Sequence, residues 1–196
     1  MKKRENQIKN NRGSRSAVVD KRDLIHIYTG DGKGKTTAAL GLALRAIGAG
    51  KSVAIIQFIK KGNTSEHKAI KKYRLPIEIK SFGLGFYKIL GDKHPKSAHQ
   101  KAAQKALIYA QKIIADNKFD LIILDEINLA ISLGLVKIEE VISILNLQNL
   151  HLKSEIVLTG RNLHPKLKKI ADLVTEMKKH KHYFDIGIKA RRGIEY

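Results

Sequence analysis

A glycine- and lysine-rich segment near the start of the chain has the residue types that bind phosphate. It lies between the apolar segment 24–28 and an alanine- and leucine-rich run at 38–44, and it reads Thr29-Gly30-Asp31-Gly32-Lys33-Gly34-Lys35-Thr36-Thr37. A strand, a glycine-rich loop and a helix in this order form the context in which a loop binds phosphate. Glycines allow backbone N–H groups to face the anion, and the helix N-terminus adds its dipole. The segment therefore predicts a nucleotide-binding loop.

Two side chains of this loop have separate predicted roles. Lys35 supplies a positive charge for phosphate oxygens, and Thr36 offers its hydroxyl to Mg²⁺. The spacing departs from the general motif G-x-x-x-x-G-K-[ST], because Thr29 stands at the position of the first glycine and Gly30 follows one residue later. The loop is therefore one residue tighter. A glycine-rich turn that only caps a helix is the alternative.

An acidic pair and an arginine follow two other apolar segments. The aliphatic run 121–124 leads into Asp125 and Glu126, and the run 155–159 is followed closely by Arg161. A strand that ends beside a phosphate loop often delivers a carboxylate that holds Mg²⁺ or its water. Ligands of α/β proteins bind at the carboxyl edge of the sheet, which makes Arg161 a candidate phosphate contact. The alternatives are that Asp125 caps the next helix and that Arg161 is an ordinary surface residue.

The hydrophobic pattern arranges these motifs in an alternating series of strands and helices. Continuous apolar runs predict parallel strands that helices cover on both faces, so the fold class is α/β. The predicted strands are 24–29, 53–59, 77–80 near the sheet edge, 119–126, 155–159 and 173–177. The predicted helices are 36–47, 64–73, a long helix from Pro95 or Ser97 to about residue 117, one helix or a pair of helices over 127–133 and 138–147, and 165–171.

The loop 82–92 carries several glycines together with aromatic residues, and such loops are often functional. Phe82 and Phe86 are its two phenylalanines. A plain connector with both rings in the core is the alternative.

Length and composition limit the possible classes of protein. The 196 residues fit one domain at 23–196, preceded by a polar, basic arm at 1–22. The absence of cysteine excludes disulfides, thiolate metal sites and thiol nucleophiles. No apolar run approaches the ~18 residues of a membrane span. The charged N-terminus lacks the apolar region of a secretory signal, so we expect a cytoplasmic location.

The formal net charge of +20 is large enough to attract nucleic acid, anionic lipid or polyanionic ligands. Lysines and arginines are nevertheless spread along the chain, and no segment interleaves them with stacking aromatics. A functional basic face and a lysine-rich solvated surface both remain open. We expect no specific nucleic-acid partner.

The chain resembles the P-loop-type ATP:corrinoid adenosyltransferases, which convert cob(I)alamin or its precursors to the adenosyl form. The resemblance covers residues 25–196, and the shortened phosphate loop is this family's own form. Six matching segments in order carry it: residues 28–39, Gln57-Phe58, residues 124–128, Thr159-Gly160-Arg161-Asn162, residues 171–177 and residues 187–196.

The resemblance implies a RecA-like fold, a homodimer and MgATP bound so that the adenosine C5′ faces the nucleophile. That nucleophile is Co(I) of the reduced corrinoid, and an electron donor, which we expect to be a flavoprotein, supplies this oxidation state. Residues Gly30, Asp31, Gly32, Lys33, Gly34, Lys35 and Thr36 would cradle the triphosphate, with Arg161 as a further contact. Thr36 and Glu126, with Asp125 beside them, would hold Mg²⁺. Lys35, Thr36 and Glu126 are the expected catalytic residues.

One position departs from the family pattern. The family's loop commonly has a tryptophan two residues after the phenylalanine of Gly-x-Gly-Phe, and these aromatics keep the lower corrin face free of its axial base. Here Phe86 is present, but Lys88 stands at the tryptophan position and the chain has no tryptophan. A lysine does not form the same apolar wall, so we expect Phe86 to contact the corrinoid face and to carry most of the remaining effect.

Two other functions are compatible with parts of the sequence. The order of elements and the basic charge would suit a nucleic-acid-associated P-loop ATPase. Lys88 would suit a homologue that binds ATP and corrinoid but is catalytically impaired. The resemblance favours the active adenosyltransferase.

We expect Lys35→Ala to abolish turnover that depends on MgATP, because the substitution removes the charge that faces the triphosphate. Charge-assisted contacts of this kind contribute about 1.5–3 kcal/mol each. Steady-state assays with MgATP and a reduced corrinoid measure the effect. Near-normal turnover would mean that this loop does not bind the triphosphate.

Overall fold

The computed structural model describes residues 24–87, 91–146 and 154–196. The predicted arm at 1–22 and Lys88 lie outside these residues. The strands are β1 (Ile25–Thr29), β2 (Val53–Gln57), β3 (Ile77–Ser81), β4 (Leu121–Asp125), β5 (Glu155–Thr159) and β6 (Leu173–Glu176). The helices are α1 (Lys35–Gly48), α2 (Ser65–Lys72), α3 (Lys96–Asp116), α4 (Ile127–Ser132), α5 (Ile138–Leu145) and α6 (Pro165–Ile170), and a 3-10 helix spans Tyr183–Ile186.

The six strands form one parallel sheet in the order β3-β2-β4-β5-β1-β6. The strand that precedes the glycine-rich loop, β1, is separated from the strand that ends in the acidic pair, β4, by β5. The predicted α/β fold of RecA-like type is confirmed, and so is the edge position of β3. Because all strands are parallel, their carboxyl ends meet at one edge, where a ligand is expected.

Alternating side chains of the strands enter two cores on opposite faces of the sheet. One face packs against α1, whose small residues Ala39, Ala43 and Ala46 allow the helix to approach Val53 and Ile55 closely. The other face packs against residues of α3, α4, α5 and α6. In the central strands β2, β4 and β5 nearly every residue is buried, as the continuous apolar runs predicted.

Strand pairing ends earlier than the apolar pattern suggests. The predicted strand 53–59 pairs only to Gln57, yet Phe58 and Ile59 are both 1% exposed. The Phe58 N–H donates to the Asp125 carbonyl at 3.1 Å, so Phe58 still bonds to the last residue of β4 and stays buried. The apolar run in the sequence predicts which residues are buried, but it does not predict where strand pairing ends. In the described part of the chain, no helix is both long and apolar enough to cross a membrane.

The glycine-rich loop rests on the backbone that follows β6. The Gly32 N–H donates to the Met177 carbonyl at 2.7 Å. A Cβ placed on Gly30 would lie 2.4 Å from the same carbonyl oxygen, and one placed on Gly32 would lie 2.6 Å from it. Gly30 also has a φ of 98°, which side chains rarely adopt. These two glycines therefore serve the packing of the loop, independently of any ligand.

We expect Gly30→Ala to destabilise the folded protein by more than about 2 kcal/mol, because the new methyl group meets fixed backbone at a strained φ. Gly41→Ala is the matched control, since Gly41 lies inside α1 with no atom within 4 Å of an added Cβ. The control should raise stability by about 0.5–1 kcal/mol, as alanine favours the helix. Urea unfolding measures both variants. Equal stabilities would contradict this account of the loop.

Candidate active site

A cleft of about 710 Å³ lies at the carboxyl edge of the sheet. The glycine-rich loop and the start of α1 form its floor, and the chain after β2, β3, β4 and β5 contributes the sides. The lining residues that carry charge are Lys33, Lys35, Lys60, Glu66, Glu126, Arg161 and Glu195. Four of these seven side chains are cations and three are carboxylates, so the cleft offers several positive groups to a polyanion.

Lys35 lies under the loop that it follows. Its ammonium donates to the carbonyls of Gly30 at 2.8 Å and Gly32 at 2.7 Å, which leaves the third N–H for an anion. Burial lowers the pKa of Lys35, and the nearby Glu126 carboxylate opposes this shift. Gly34, with a φ of 119°, caps α1 and turns the first N–H groups of the helix toward the cleft. The loop is therefore already shaped around its own lysine.

Asp125 is the most heavily bonded side chain of the site. Only 1% of it is exposed. Its Oδ1 accepts hydrogen bonds from the hydroxyls of Thr36 and Thr159, both at 2.8 Å. Its Oδ2 accepts one from Gln57 Nε2 at 3.0 Å and lies 3.0 Å from the Lys60 ammonium. All four acceptor positions of the carboxylate are therefore occupied.

Gln57 stands beside Asp125 in the register of β2 and β4, and a chain of polar side chains orients its amide. Ser81 donates to Gln57 Oε1 at 2.6 Å, so the His67 Nε2 that lies 2.9 Å from Ser81 Oγ carries a proton. His67 Nδ1 then accepts from Thr64 Oγ1 at 2.7 Å. Burial lowers the pKa of His67, which favours this neutral tautomer. The chain fixes which side of the Gln57 amide faces Asp125.

Glu126 has a different environment from its neighbour. It adopts a φ of 64°, and its N–H donates to Thr159 Oγ1 at 2.9 Å. Its Oε2 is buried, with no hydrogen-bond partner among the described residues. Burial raises the pKa of Glu126, and the charge of Asp125 raises it further. A strained residue with an unsatisfied carboxylate oxygen is a frequent feature of functional sites.

The oxygens of Thr36, Asp125 and Glu126 fit a magnesium ion by their chemistry, because Mg²⁺ prefers hydroxyl, carboxylate and phosphate oxygen. The unsatisfied Glu126 oxygen is the observation that supports this fit. The described residues contain no cluster of three or more histidine, cysteine or acidic side chains suited to a metal. Water or oxygens from a bound phosphate would complete the coordination of an ion at this position.

Other predicted phosphate ligands are placed less directly. Asp31 is exposed and accepts a hydrogen bond from the Lys179 N–H at 3.1 Å, which lowers the pKa of its carboxyl. Neither Asp31 nor Gly30 lines the cleft, whereas Gly32, Gly34 and Arg161 do. The structure thus brings most of the predicted residues together, while Gly30 and Asp31 shape the outer side of the loop.

The C-terminal segment crosses the cleft, and its role here was not predicted. Lys33 donates to the Ile194 carbonyl at 2.7 Å, and Ser65 donates to the Tyr196 carbonyl at 2.8 Å. Glu195 accepts from the Tyr183 hydroxyl and lies 3.5 Å from Arg191. The Tyr183 hydrogen bond is the main cause that lowers the pKa of Glu195 to about 2. Because the Lys33 contact joins residues that lie 161 positions apart, no local pattern could have revealed it.

The two phenylalanines of the predicted functional loop lie in different environments. Phe82 packs against the core and against Tyr109, with ring centroids 5.4 Å apart. Phe86 is 43% exposed and lines the cleft. Between them, Gly83 passes so close to Ile59 that an added Cβ would lie 2.0 Å from its carbonyl carbon. The Gly85 N–H also donates to the Ile59 carbonyl at 2.9 Å, so this part of the loop lies against the chain that follows β2.

A family model described as ATP:corrinoid adenosyltransferase BtuR/CobO/CobP matches residues 21–196. The chain belongs to this family. The corrinoid adenosyltransferase of Escherichia coli (strain K12) is 33% identical over 195 residues, which cover 98% of this chain and 96% of the relative. The corrinoid adenosyltransferase CobA of Salmonella typhimurium has the same identity and coverage. A corrinoid adenosyltransferase of Sinorhizobium sp is 37% identical over 180 residues, 91% of this chain and 82% of the relative.

Among solved structures, the flagellar accessory protein FlaH from Methanocaldococcus jannaschii is similar with a TM-score of 0.52. The match covers 79% of this chain and 70% of that chain, at 15% sequence identity. At this identity the likeness concerns the fold alone. It agrees with the parallel α/β architecture, and the assignment to the family rests on the sequence relatives.

We expect Glu126→Gln to stabilise the metal-free, nucleotide-free protein, because it removes a buried charge next to Asp125. Glutamate has an ordinary pKa of 4.5, and the folded state raises it. Ionised Glu126 therefore lowers the folding stability of the wild type. This loss of stability is absent below pH 4.5 and grows as pH rises through the raised pKa. We expect a gain of about 1 kcal/mol near neutral pH, or about 2–4 °C in melting temperature.

Thermal melts in EDTA at about pH 8 and about pH 5 measure the effect, and the gain should be smaller at the lower pH. Glu139→Gln is the control, since Glu139 is exposed and paired with Lys166 at 2.8 Å. The Lys166 hydrogen bond lowers the pKa of Glu139, so its removal should bring no gain. A stabilisation of Glu126→Gln that is equal at both pH values would contradict the charge argument.

Proposed function

We propose that this protein transfers the 5′-deoxyadenosyl group of ATP to Co(I) of a reduced corrinoid and releases triphosphate. The observation that carries the proposal is the meeting of the phosphate loop and the acidic pair at one cleft, in a chain of the corrinoid adenosyltransferase family. The relatives that bear this name match nearly the whole chain.

The triphosphate would lie over the glycine-rich loop. Gly32, Gly34 and the first N–H groups of α1 offer backbone donors, and Lys35 offers its remaining N–H. Lys33 and Arg161 line the same cleft and add positive charge from two sides. A fixed array of donors costs no reorganisation when negative charge develops on a leaving group.

The reaction forms a bond between cobalt and C5′ while the bond between C5′ and the α-phosphate oxygen breaks. The electron pair of that bond leaves with the triphosphate, so negative charge increases where the cations of the cleft lie. Co(I) is itself the nucleophile, and the protein therefore needs no nucleophilic side chain. Its contributions are the alignment of the two reactants and the stabilisation of the leaving group.

Mg²⁺ is part of this proposal. Thr36 and Glu126 would hold the ion with Asp125 beside them, and the unsatisfied Glu126 oxygen supports the assignment. When bound, the ion neutralises charge on the phosphate oxygens. Asp125 also holds the Thr36 hydroxyl in place through its 2.8 Å hydrogen bond. Lys35, Thr36 and Glu126 are accordingly the proposed catalytic residues.

Several further features complete the proposal. Phe86 would lie against the corrinoid, because it is an exposed apolar ring at the mouth of the cleft. A homodimer, a flavoprotein as the donor of the electron that forms Co(I), and a cytoplasmic location follow from the family resemblance and the sequence. The nucleic-acid-associated ATPase is not favoured, because the relatives that match nearly the full chain are named corrinoid adenosyltransferases.

Product analysis tests the proposed function. The purified protein is incubated with MgATP and a chemically reduced corrinoid, and the phosphate products are separated by anion exchange. Triphosphate and adenosylated corrinoid in equal amounts are expected. ADP with inorganic phosphate, especially if DNA stimulates their release, would instead support the ATPase.

We expect Phe86→Ala to lower turnover from Co(II) corrinoid under a mild reductant more than turnover from pre-reduced Co(I). An apolar ring that excludes water and the axial base favours four-coordinate cobalt, which is easier to reduce. Tyr73→Ala is the control, because Tyr73 is 64% exposed and does not line the cleft. Equal losses from both starting states would mean that Phe86 acts in general binding or folding.

Lys88→Trp, which would restore the family's tryptophan, should raise the rate of turnover from Co(II) corrinoid under the mild reductant.

A further inference from the structure

The ammonium of Lys60 lies beside the oxygens of Asp125 and Thr36, where a metal ion is proposed to bind. No sequence motif predicted a role for Lys60. It follows β2 by three residues, and its side chain is 18% exposed. Its ammonium lies 3.0 Å from Asp125 Oδ2 and donates to Thr36 Oγ1 at 3.1 Å. Glu66 Oε1 lies 3.9 Å away on the other side. Lys60 thus contacts two of the oxygens that are proposed to serve Mg²⁺.

These contacts occupy the oxygens of Thr36 and Asp125 that a metal ion would need. The Thr36 hydroxyl donates its proton to Asp125 and accepts a hydrogen bond from Lys60. Asp125 Oδ2 is shared between Gln57 and Lys60. A divalent cation that approached Thr36 and Asp125 would meet the ammonium at short range, where two positive charges repel strongly. Lys60 must therefore move before these oxygens can contact a metal.

A bound triphosphate would give the Lys60 ammonium a second binding partner within the cleft. Lys60 lines the same cleft as Lys35 and Arg161, so the triphosphate would lie within reach of its head group. Its stem has four rotatable bonds, and an ammonium needs no fixed plane to bind a phosphate oxygen. Glu126 Oε2, which has no partner among the described residues, would gain one when a metal enters. The exchange would thus replace one cation by another at the buried carboxylates.

We propose that Lys60 is a positioning residue that substitutes for the metal ion in the nucleotide-free protein and moves onto the triphosphate when MgATP binds. The inference rests on the proposed function for the place of the metal. Its consequence is selectivity: the empty site resists a bare divalent cation and accepts one that arrives with a triphosphate. The charge at Asp125 is balanced in both states.

Metal binding without nucleotide tests this proposal. Mn²⁺ is used as a paramagnetic substitute for Mg²⁺, and free Mn²⁺ is measured by electron paramagnetic resonance during titration of the nucleotide-free protein. Lys60→Met should bind Mn²⁺ at least about tenfold more tightly than the wild type, since one charge-assisted contact is removed from the competing side. Lys60→Arg keeps the charge and should remain as weak as the wild type.

Lys61→Met is the matched control, because it removes the same charge from an exposed neighbour that does not line the cleft. Binding of inorganic tripolyphosphate in EDTA, measured by calorimetry, provides a second readout. Lys60→Met should bind it about tenfold more weakly, and Lys61→Met should match the wild type. Lys60→Gln, which retains a donor toward Asp125, gives the same expectations and serves if the methionine variant does not fold.

Mn²⁺ binding by the Lys60 variants that is no tighter than in Lys61→Met would overturn the proposal. An unchanged tripolyphosphate affinity of Lys60→Met would overturn the proposed movement of Lys60 onto the triphosphate. These outcomes are separable from the proposed function, which the products of the wild-type reaction decide. Triphosphate formation by the wild type together with unchanged Mn²⁺ binding in Lys60→Met would leave the function intact and reject only the role of Lys60.

Discussion

The carboxylate of Asp125 is the constraint on which the site depends. A charge that is 1% exposed must be compensated in full, because an unpaired buried charge costs several kcal/mol. Thr36, Gln57, Thr159 and Lys60 provide this compensation, and they come from α1, β2, β5 and the turn after β2. Each donor is thereby placed at the carboxyl edge of the sheet. The hydrogen bonds that satisfy one buried group also assemble the cleft.

The neighbouring carboxylate, Glu126, is buried without the full set of hydrogen bonds that Asp125 has. Glu126 retains a buried oxygen without a partner among the described residues, at a backbone φ of 64°. Burial and the charge of Asp125 both raise its pKa, so the ionised form destabilises the free protein. Such a group is suited to a ligand that brings positive charge. Asp125 is fully hydrogen-bonded, whereas Glu126 has an oxygen that accepts no hydrogen bond from the described residues.

The cleft joins segments that are far apart in the chain. The Lys33 ammonium contacts the Ile194 carbonyl, 161 residues further on, and the loop that carries Lys33 rests on Met177. The C-terminal segment therefore forms part of the cleft.

The sequence by itself determined the phosphate loop, the acidic pair and the parallel α/β fold, because each depends on residue types at short spacing. It also identified Phe82 and Phe86 as loop aromatics, whereas the fold decided that Phe86 lines the cleft and that Phe82 packs inward. Only the tertiary structure showed Lys60 at Asp125, the C-terminal segment over the cleft and Asp31 turned toward Lys179. Apolar periodicity encodes which face of a strand is buried. Which polar groups meet at the strand ends depends on the order of the strands and the direction of the turns after them, and long-range contacts set both.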